Sequence, residues 1–328
     1  MPVSADYAIS FTLVTRGPFD KMPGPSWRLG WLLPHDYRPS ICLIPWLCQG
    51  TPRVMDWWQA LVLGIVEGLT EFVPVSSTGH LIVTGAWIGL GESADQKAAL
   101  DAFEIVIQAG AWLACVLYYA KWIWARVGTI WSSQQAERRP GIALIINLSV
   151  AFVPVVIIGL MFRKAIKAVL FGVTPVAIAL AVGGFVMLFA DKLERKSACD
   201  DLDQMTWKQA LIVGVSQCAA LIPGTSRSMS TIIGGLLGGL TPKAAADFSF
   251  LLAIPVLGAA TAYELFKEWH IMSAHIGALA IAIGLLTSFV VGWASIAGFL
   301  RILARLGLAP FGIYRLVFAG VVWWVLIG

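Results

Sequence analysis

Residues 67 to 80, EGLTEFVPVSSTGH, interrupt an otherwise apolar stretch of the chain. Glu67 and Glu71 are four residues apart and therefore lie on one face of a helix, which Pro74 and Gly79 are expected to break. An ionisable side chain at the centre of a spanning helix costs roughly 2.5–3.5 kcal/mol, so these groups need partners or a water-filled cavity. The stretch predicts a broken membrane helix that holds reactive groups.

The composition indicates an integral membrane protein. The 328 residues are 58% hydrophobic and 13% charged, whereas soluble domains have about 25% charged residues. The net charge of +4 is spread through connecting segments without a basic block, which argues against nucleic acid as a partner. The five cysteines form no CxxC pair and have no metal-ligand spacing, so we expect neither a disulfide framework nor a zinc site.

Residues 1–54 differ from the rest of the chain, because they contain eight of its sixteen prolines. Their longest apolar run, residues 41–48, is interrupted by proline and is too short to span a bilayer. Asp56 is a plausible N-cap with Gln59 three residues later, just before a sustained apolar helix pattern. We interpret residues 1–54 as a poorly structured extension or a mis-assigned start, and residues 55–328 as the membrane domain.

Six apolar runs are long enough to cross a bilayer. They are residues 101–121, 142–162, 173–190, 245–266, 274–298 and 311–327. The first broken segment, at about 57–90, precedes the first three runs, and a second broken segment, at about 207–239, precedes the last three.

The two broken segments resemble each other at an offset near 150. ALVLGIVE at 60–67 matches ALIVGVSQ at 210–217, and PVSS at 74–77 matches PGTS at 223–226 after a one-residue gap. Each half (about 57–190 and about 207–327) is therefore a broken re-entrant helix pair plus three transmembrane helices. Because three is odd, the second half starts on the opposite face, which makes the repeats inverted and brings both breaks toward the midplane.

Basic residues predict the orientation, since cytoplasmic loops are rich in Lys and Arg. One set of loops carries Lys121, Arg126, Arg138, Arg139, Lys192, Arg195, Lys196, Lys243, Arg301 and Arg305. The other set carries chiefly Arg163, Lys164, Lys167 and Lys267. We expect the first set to be cytoplasmic, which places the C-terminus outside and has the first broken segment enter from the outer face.

Together the two breaks have the outline of a phosphate site. Arg227 supplies a planar fork for phosphate oxygens, and Ser226, Thr78 and Ser76 supply hydroxyl groups. Half-helices that begin after Gly79 and Gly224 would add backbone N–H donors. The alternatives are that each hydroxyl only bonds to the backbone and that the glutamates form a structural ion pair with Arg227.

Glu67 and Glu71 also have the spacing and chemistry to hold a divalent cation, magnesium or calcium, that bridges phosphate oxygens. His80 lies three residues after Ser77, so a turn at Gly79 would let the imidazole accept the proton of the serine hydroxyl. We therefore predict Ser77, His80 and Glu71 as catalytic residues. The alternative is attack by a water that the metal or His80 activates, with Ser77 only donating a hydrogen bond.

EGLTEFVPVSSTGH (67–80) and PGTSRSMSTIIGG (223–235) resemble the two signature motifs of the undecaprenyl-diphosphatase family, the bacitracin-resistance proteins. FEIVIQAG (103–110) and DFSFLLA (247–253) extend the resemblance, which runs from about residue 55 to 328. It implies a bacterial cytoplasmic membrane enzyme, with its active site open to the outer face, that hydrolyses undecaprenyl diphosphate and needs a divalent cation. It maps the family's motif residues onto Glu67, Glu71, Ser77, His80, Ser226 and Arg227, and it is compatible with a homodimer.

Two rival functions remain at this point. Ser77-Thr78-Gly79-His80 is similar to an element of the acid-phosphatase type of lipid phosphatase, but a second histidine with that family's spacing is missing. A flippase that moves a polyprenyl phosphate is the other rival, because inverted repeats with broken helices are typical of transporters.

Overall fold

The computed structural model describes residues 55–90, 94–132, 134–170, 172–193 and 198–326, so the interpretation of residues 1–54 lies outside the described residues. Over these ranges the chain forms ten α-helices joined by short turns and 3-10 helices, with one isolated β-bridge and no strand. The prediction of an all-α fold is confirmed. The helices are α1 (Trp57–Thr70), α2 (Ser77–Trp87), α3 (Ala94–Val127), α4 (Gln135–Leu170), α5 (Val173–Leu188), α6 (Trp207–Gln217), α7 (Arg227–Leu237), α8 (Pro242–His275), α9 (Ala278–Leu306) and α10 (Ala309–Leu326).

Five helices in the described part of the chain are long and apolar enough to cross a membrane, so the protein is a multi-pass membrane protein. They are α3, α4, α8, α9 and α10. The expectation of six full spans is wrong for the run at 173–190. This run forms α5, which begins after the extended Gly172 and has 16 residues. At 1.5 Å per residue it is about 24 Å long, less than the roughly 30 Å of a bilayer core.

The first broken segment is a helical hairpin whose two ends are tied together by Gln59. The backbone N–H of Asp56 donates to Gln59 Oε1 (2.8 Å), which confirms the predicted cap at the start of α1. The Nε2 of the same side chain donates to the carbonyl oxygen of Ile88 (3.0 Å), just after α2. The start of α1 and the end of α2 therefore lie side by side, as a re-entrant segment requires.

The second broken segment repeats this arrangement at an offset of 150 residues. The N–H of Thr206 donates to Gln209 Oε1 (2.9 Å), and Gln209 Nε2 donates to the carbonyl oxygen of Gly238 (3.1 Å), just after α7. The internal repeat is thus visible in backbone contacts as well as in residue types. The inverted relation of the two halves remains a prediction.

Connecting segments that we expect on the cytoplasmic side contact one another. Arg126 at the end of α3 pairs with Asp203 through Nε (2.8 Å) and Nη2 (3.0 Å). Asp191 after α5 accepts from the backbone N–H of Leu308 (2.9 Å), which lies just before α10. These loops share one end of the helix bundle, whereas Arg195 and Lys196 lie outside the described residues.

The first hairpin packs against the helix bundle through close contact of α1 with α9. A Cβ on Gly64 would lie 2.8 Å from the carbonyl oxygen of Gly284, and one on Gly68 would lie 2.8 Å from the backbone nitrogen of Gly292. The two helices approach this closely only because small residues face each other. Glu67 lies between these two glycines on α1 and is consequently buried.

Candidate functional site

The two breaks in the helical hairpins contact each other inside the bundle. The Oγ of Ser228, at the start of α7, donates to the carbonyl oxygen of Val73 in the first break (3.2 Å). Residues 71–76 and 218–226 thus line one place in the protein, where the chain is not α-helical and several peptide groups lack partners along a helix. Such backbone inside a membrane has to be enclosed by protein or line a wet cavity.

Each second half-helix begins after a serine in an unusual backbone conformation. Ser76 and Ser226, the N-caps of α2 and α7, both have φ of +76°, in a region that side chains other than glycine rarely adopt. A residue held there costs about 1–3 kcal/mol, and such strain is concentrated at functional sites. The sequence repeat pairs Ser226 with Ser77. By backbone conformation and position before the helix, Ser226 corresponds to Ser76 instead.

The expected helix start after Gly79 is wrong. The break ends at Ser76, and α2 runs from Ser77 without interruption through Gly79. Gly79 instead allows a close approach to α5, since a Cβ there would lie 3.0 Å from Leu180 Cδ1. Gly224 does lie in the second break, with a positive φ of +91°. The helix α7 does not begin directly after it but at Arg227, with Ser226 as the N-cap.

A polar cavity of about 180 Å³ lies at the start of both half-helices. All four residues predicted to bind phosphate line it, as do two of the predicted catalytic residues; its polar side chains are Glu71, Ser76, Ser77, Thr78, Gln108, Ser226 and Arg227. The N–H groups in the first turn of a helix have no partner within that helix and favour an anion. Two such helix starts at one cavity form a site suited to phosphate groups.

Arg227 is only partly used by the protein. Its Nη2 pairs with Glu71 Oε1 (3.3 Å), and its Nη1 donates to the carbonyl oxygen of Ser249 (3.0 Å). Its Nε is buried and has no hydrogen-bond partner. A buried donor without a partner is rare in proteins, and a guanidinium edge is well suited to a phosphate oxygen. Arg227 also lines the polar cavity, where its positive charge suits a phosphate group.

Ser77 is hydrogen-bonded to Glu71, not to His80. Ser77 Oγ donates to Glu71 Oε2 (2.7 Å). His80 is buried with Nδ1 2.8 Å from the carbonyl oxygen of Ser76 and Nε2 2.7 Å from the hydroxyl of Tyr314, and its ring is stacked on Phe318. Because both ring nitrogens are engaged toward Ser76 and α10, the expected contact between His80 and Ser77 is not formed.

Glu67 lies in the last turn of α1 and Glu71 directly follows this helix, and both are buried. Glu71, Glu104 and Arg227 are ionisable neighbours of Glu67. Among the described residues no group of three or more His, Cys, Asp or Glu side chains is arranged to hold a metal ion. Two carboxyl groups four residues apart nevertheless suit a cation that takes its remaining ligands from a phosphate.

The sequence analysis missed Arg315, which lies on α10 and is fully buried. Its guanidinium donates to four backbone carbonyls: those of Pro74 (3.2 Å) and Gly224 (2.9 Å), one in each break, and those of Ala179 (3.1 Å) and Leu180 (3.3 Å) on α5. Arg315 thus holds both breaks against α5. An arginine inside the apolar run at 311–327 was the signal that could have revealed it.

The fold and the site define a class of protein: a multi-pass membrane protein in which two broken helical hairpins meet at a polar cavity. The family model described as "Bacitracin resistance protein BacA" matches residues 60–321, and the chain belongs to this family. It is 47% identical to the undecaprenyl-diphosphatase of Sorangium cellulosum over 83% of this chain and 87% of that protein. It is 46% identical to undecaprenyl-diphosphatase 1 of Chromobacterium violaceum over 81% of this chain and 96% of that protein.

Proposed function

We propose that this chain hydrolyses undecaprenyl diphosphate to undecaprenyl phosphate and inorganic phosphate, and thereby recycles the lipid carrier of peptidoglycan synthesis. The relatives that carry the name undecaprenyl-diphosphatase match more than four fifths of the chain, which favours a hydrolase over a flippase. The observation that carries the proposal is the polar cavity that Arg227, Ser77 and Glu71 line together at the start of both half-helices. The charged diphosphate of a lipid needs polar partners inside an apolar helix bundle, and this cavity supplies them.

The contact between Ser77 and Glu71 supports a serine nucleophile with a carboxylate base. Ser77 Oγ attacks the terminal phosphorus and passes its proton to Glu71 Oε2, which already accepts a hydrogen bond from it. The new O–P bond forms as the bond from that phosphorus to the bridging oxygen breaks, and undecaprenyl phosphate leaves. Water then displaces the Ser77 oxygen, which takes back the proton, and inorganic phosphate leaves.

Arg227 and the two helix starts stabilise the charge on the transferred phosphoryl group. Arg227 lines the cavity, and its Nη2 also holds Glu71 beside Ser77. His80 takes a different role from the base that we expected, because its Nδ1 faces the carbonyl oxygen of the strained Ser76 and its Nε2 faces Tyr314. It positions the turn that presents Ser77.

Glu67 and Glu71 would hold the divalent cation, magnesium or calcium, together with oxygens of the diphosphate. The burial of both side chains at a spacing of four residues supports this assignment. The cation would supply charge neutralisation for the diphosphate oxygens.

The proposal extends to location. The family places the protein in the bacterial cytoplasmic membrane, and the basic loops favour an active site open to the outer face. A homodimer remains a prediction. Light scattering of the purified protein in detergent tests it by measuring the molar mass.

Phosphate release by the purified protein in detergent tests the function. Undecaprenyl diphosphate should release inorganic phosphate with magnesium or calcium and none after exhaustive chelation, whereas undecaprenyl monophosphate should release none in either case. Turnover without a membrane to cross would exclude a pure flippase. No release in detergent, together with movement of the lipid across reconstituted vesicles, would support the flippase instead.

A further inference from the structure

The polar cavity has a third wall, which neither helical hairpin supplies. Its lining residues between 71 and 78 belong to the first hairpin, and those between 220 and 227 belong to the second. The remaining lining residues are Gln108 on α3 and Leu257 on α8. Because leucine has no polar group, Gln108 is the one hydrogen-bonding side chain that the described residues of this wall offer. The proposed mechanism gives it no role.

Polar contacts join α3 to α8 along their length. The Nε1 of Trp112 donates to the carbonyl oxygen of Ile254 (2.8 Å), and the hydroxyl of Tyr119 donates to Asp247 Oδ1 (2.6 Å). In both contacts the side chain on α3 donates the single polar hydrogen that it has. Neither residue therefore keeps a donor for a ligand.

Gln108 differs from these residues because it accepts the hydrogen bond from α8. The Oγ1 of the buried Thr261 donates to Gln108 Oε1 (3.2 Å). The contact engages the amide oxygen and leaves both hydrogens of Nε2 without a hydrogen-bond partner within the described part of the chain. If the amide turned over, it would present an oxygen that repels phosphate. Thr261 thus favours the orientation in which Gln108 is a donor.

We propose that the Nε2 of Gln108 binds an oxygen of the substrate's diphosphate, and that Thr261 positions this amide. The proposal rests on the proposed function and deepens it, because it gives the third wall a part in substrate recognition. Arg227 already supplies a positive charge to the cavity. An uncharged donor adds a hydrogen bond to the diphosphate without repelling the cation that Glu67 and Glu71 would hold.

Binding of methylenediphosphonate tests the contact without turnover. This compound has two phosphonate groups joined by a carbon, so it cannot be hydrolysed, and it has no lipid chain. Its dissociation constant is measured by isothermal titration calorimetry, with magnesium, on the full-length protein in detergent. Gln108→Met keeps the length of the side chain and removes both donors. It should weaken binding by about tenfold to a hundredfold, as expected for the loss of a hydrogen bond to a charged group.

Tyr119→Phe is the matched control. It also removes a polar contact between α3 and α8, but Tyr119 lies outside the cavity lining. The control should bind methylenediphosphonate within about twofold of the unsubstituted protein, whether or not its thermal unfolding midpoint falls. A loss of affinity in Gln108→Met alone therefore reports on the cavity and not on the packing of the two helices.

Thr261→Val tests the positioning role, because it removes the hydroxyl and keeps the shape of the side chain. Thr261 is outside the cavity lining, so any loss of binding has to pass through another residue. We expect binding to weaken by about threefold to tenfold, since the amide is then free to turn over. In a Gln108→Met background the same substitution should have no further effect. Equal losses in both backgrounds would refute the positioning role.

The outcomes separate this proposal from the proposed function. If undecaprenyl diphosphate is hydrolysed and Gln108→Met binds methylenediphosphonate as tightly as Tyr119→Phe does, the function stands and the role of Gln108 is overturned. If the unsubstituted protein releases no phosphate but Gln108→Met weakens binding as expected, the diphosphate contact stands and the hydrolytic function fails. If Gln108→Met does not fold, Thr261→Val decides, and unchanged binding in that variant overturns the proposal.

Discussion

Replacement of Arg227 by lysine should remove most of the activity although the positive charge remains. The guanidinium contacts Glu71 and Ser249 and lines the polar cavity, and a single ammonium group cannot make all these contacts. Hydrogen bonds to charged groups contribute about 1.5–3 kcal/mol each, so the loss of two costs about 3–6 kcal/mol. At about 1.4 kcal/mol per factor of ten, kcat/KM should fall by about a hundredfold to ten-thousandfold.

The assay is phosphate release from undecaprenyl diphosphate in detergent, with the thermal unfolding midpoint measured in parallel. Arg126→Lys is the matched control, because Arg126 also makes a forked contact with a carboxylate, that of Asp203, but lies at the end of α3 and outside the cavity lining. The control should keep its activity within about twofold, as expected for a partly exposed ion pair. If kcat/KM of the Arg227→Lys variant lies within tenfold of that of the unsubstituted protein, Arg227 does not bind the phosphate and is only a structural partner of Glu71.

Four further outcomes are expected. Ser77→Ala should lower turnover more than about a thousandfold, which exceeds the cost of one lost hydrogen bond. Rapid-quench experiments should trap phosphate on Ser77 in the unsubstituted protein. A tenfold loss with no trapped phosphate would assign the attack to water. Glu67→Gln should raise the magnesium concentration needed for half-maximal activity by about tenfold or more, and an unchanged requirement would remove Glu67 from the metal site. Arg315→Met should destabilise the protein by about 3 kcal/mol or more, because four carbonyls lose their donor, and an unchanged unfolding midpoint would contradict this reasoning. In a variant with Cys199 as its single cysteine, an impermeant thiol reagent should label inside-out vesicles and not intact cells, and the reverse pattern would invert the topology.

The predicted phosphate-binding residues were identifiable from sequence because polar groups are expensive inside an apolar chain. Ser76, Thr78, Ser226 and Arg227 stood out against their surroundings, and the structure brings all four to one cavity. The partner of Ser77 was not identifiable in this way. Two candidate bases, Glu71 and His80, lie within six residues of it, and the choice depends on which direction each side chain takes from its helix.

The sequence by itself determined the membrane class, the helical content, the two broken segments and their repetition. These properties depend on composition and on short-range patterns: apolar runs, a proline or a glycine in a helix, and a capping glutamine three residues after an N-cap. Only the tertiary structure decided which groups meet across the bundle. Arg315 contacts Pro74 from 241 residues away, Arg227 contacts Glu71 from 156 residues away, and His80 contacts Tyr314 from 234 residues away. No local pattern encodes such contacts, because they arise when glycine-lined helices pack closely enough to enclose the two breaks.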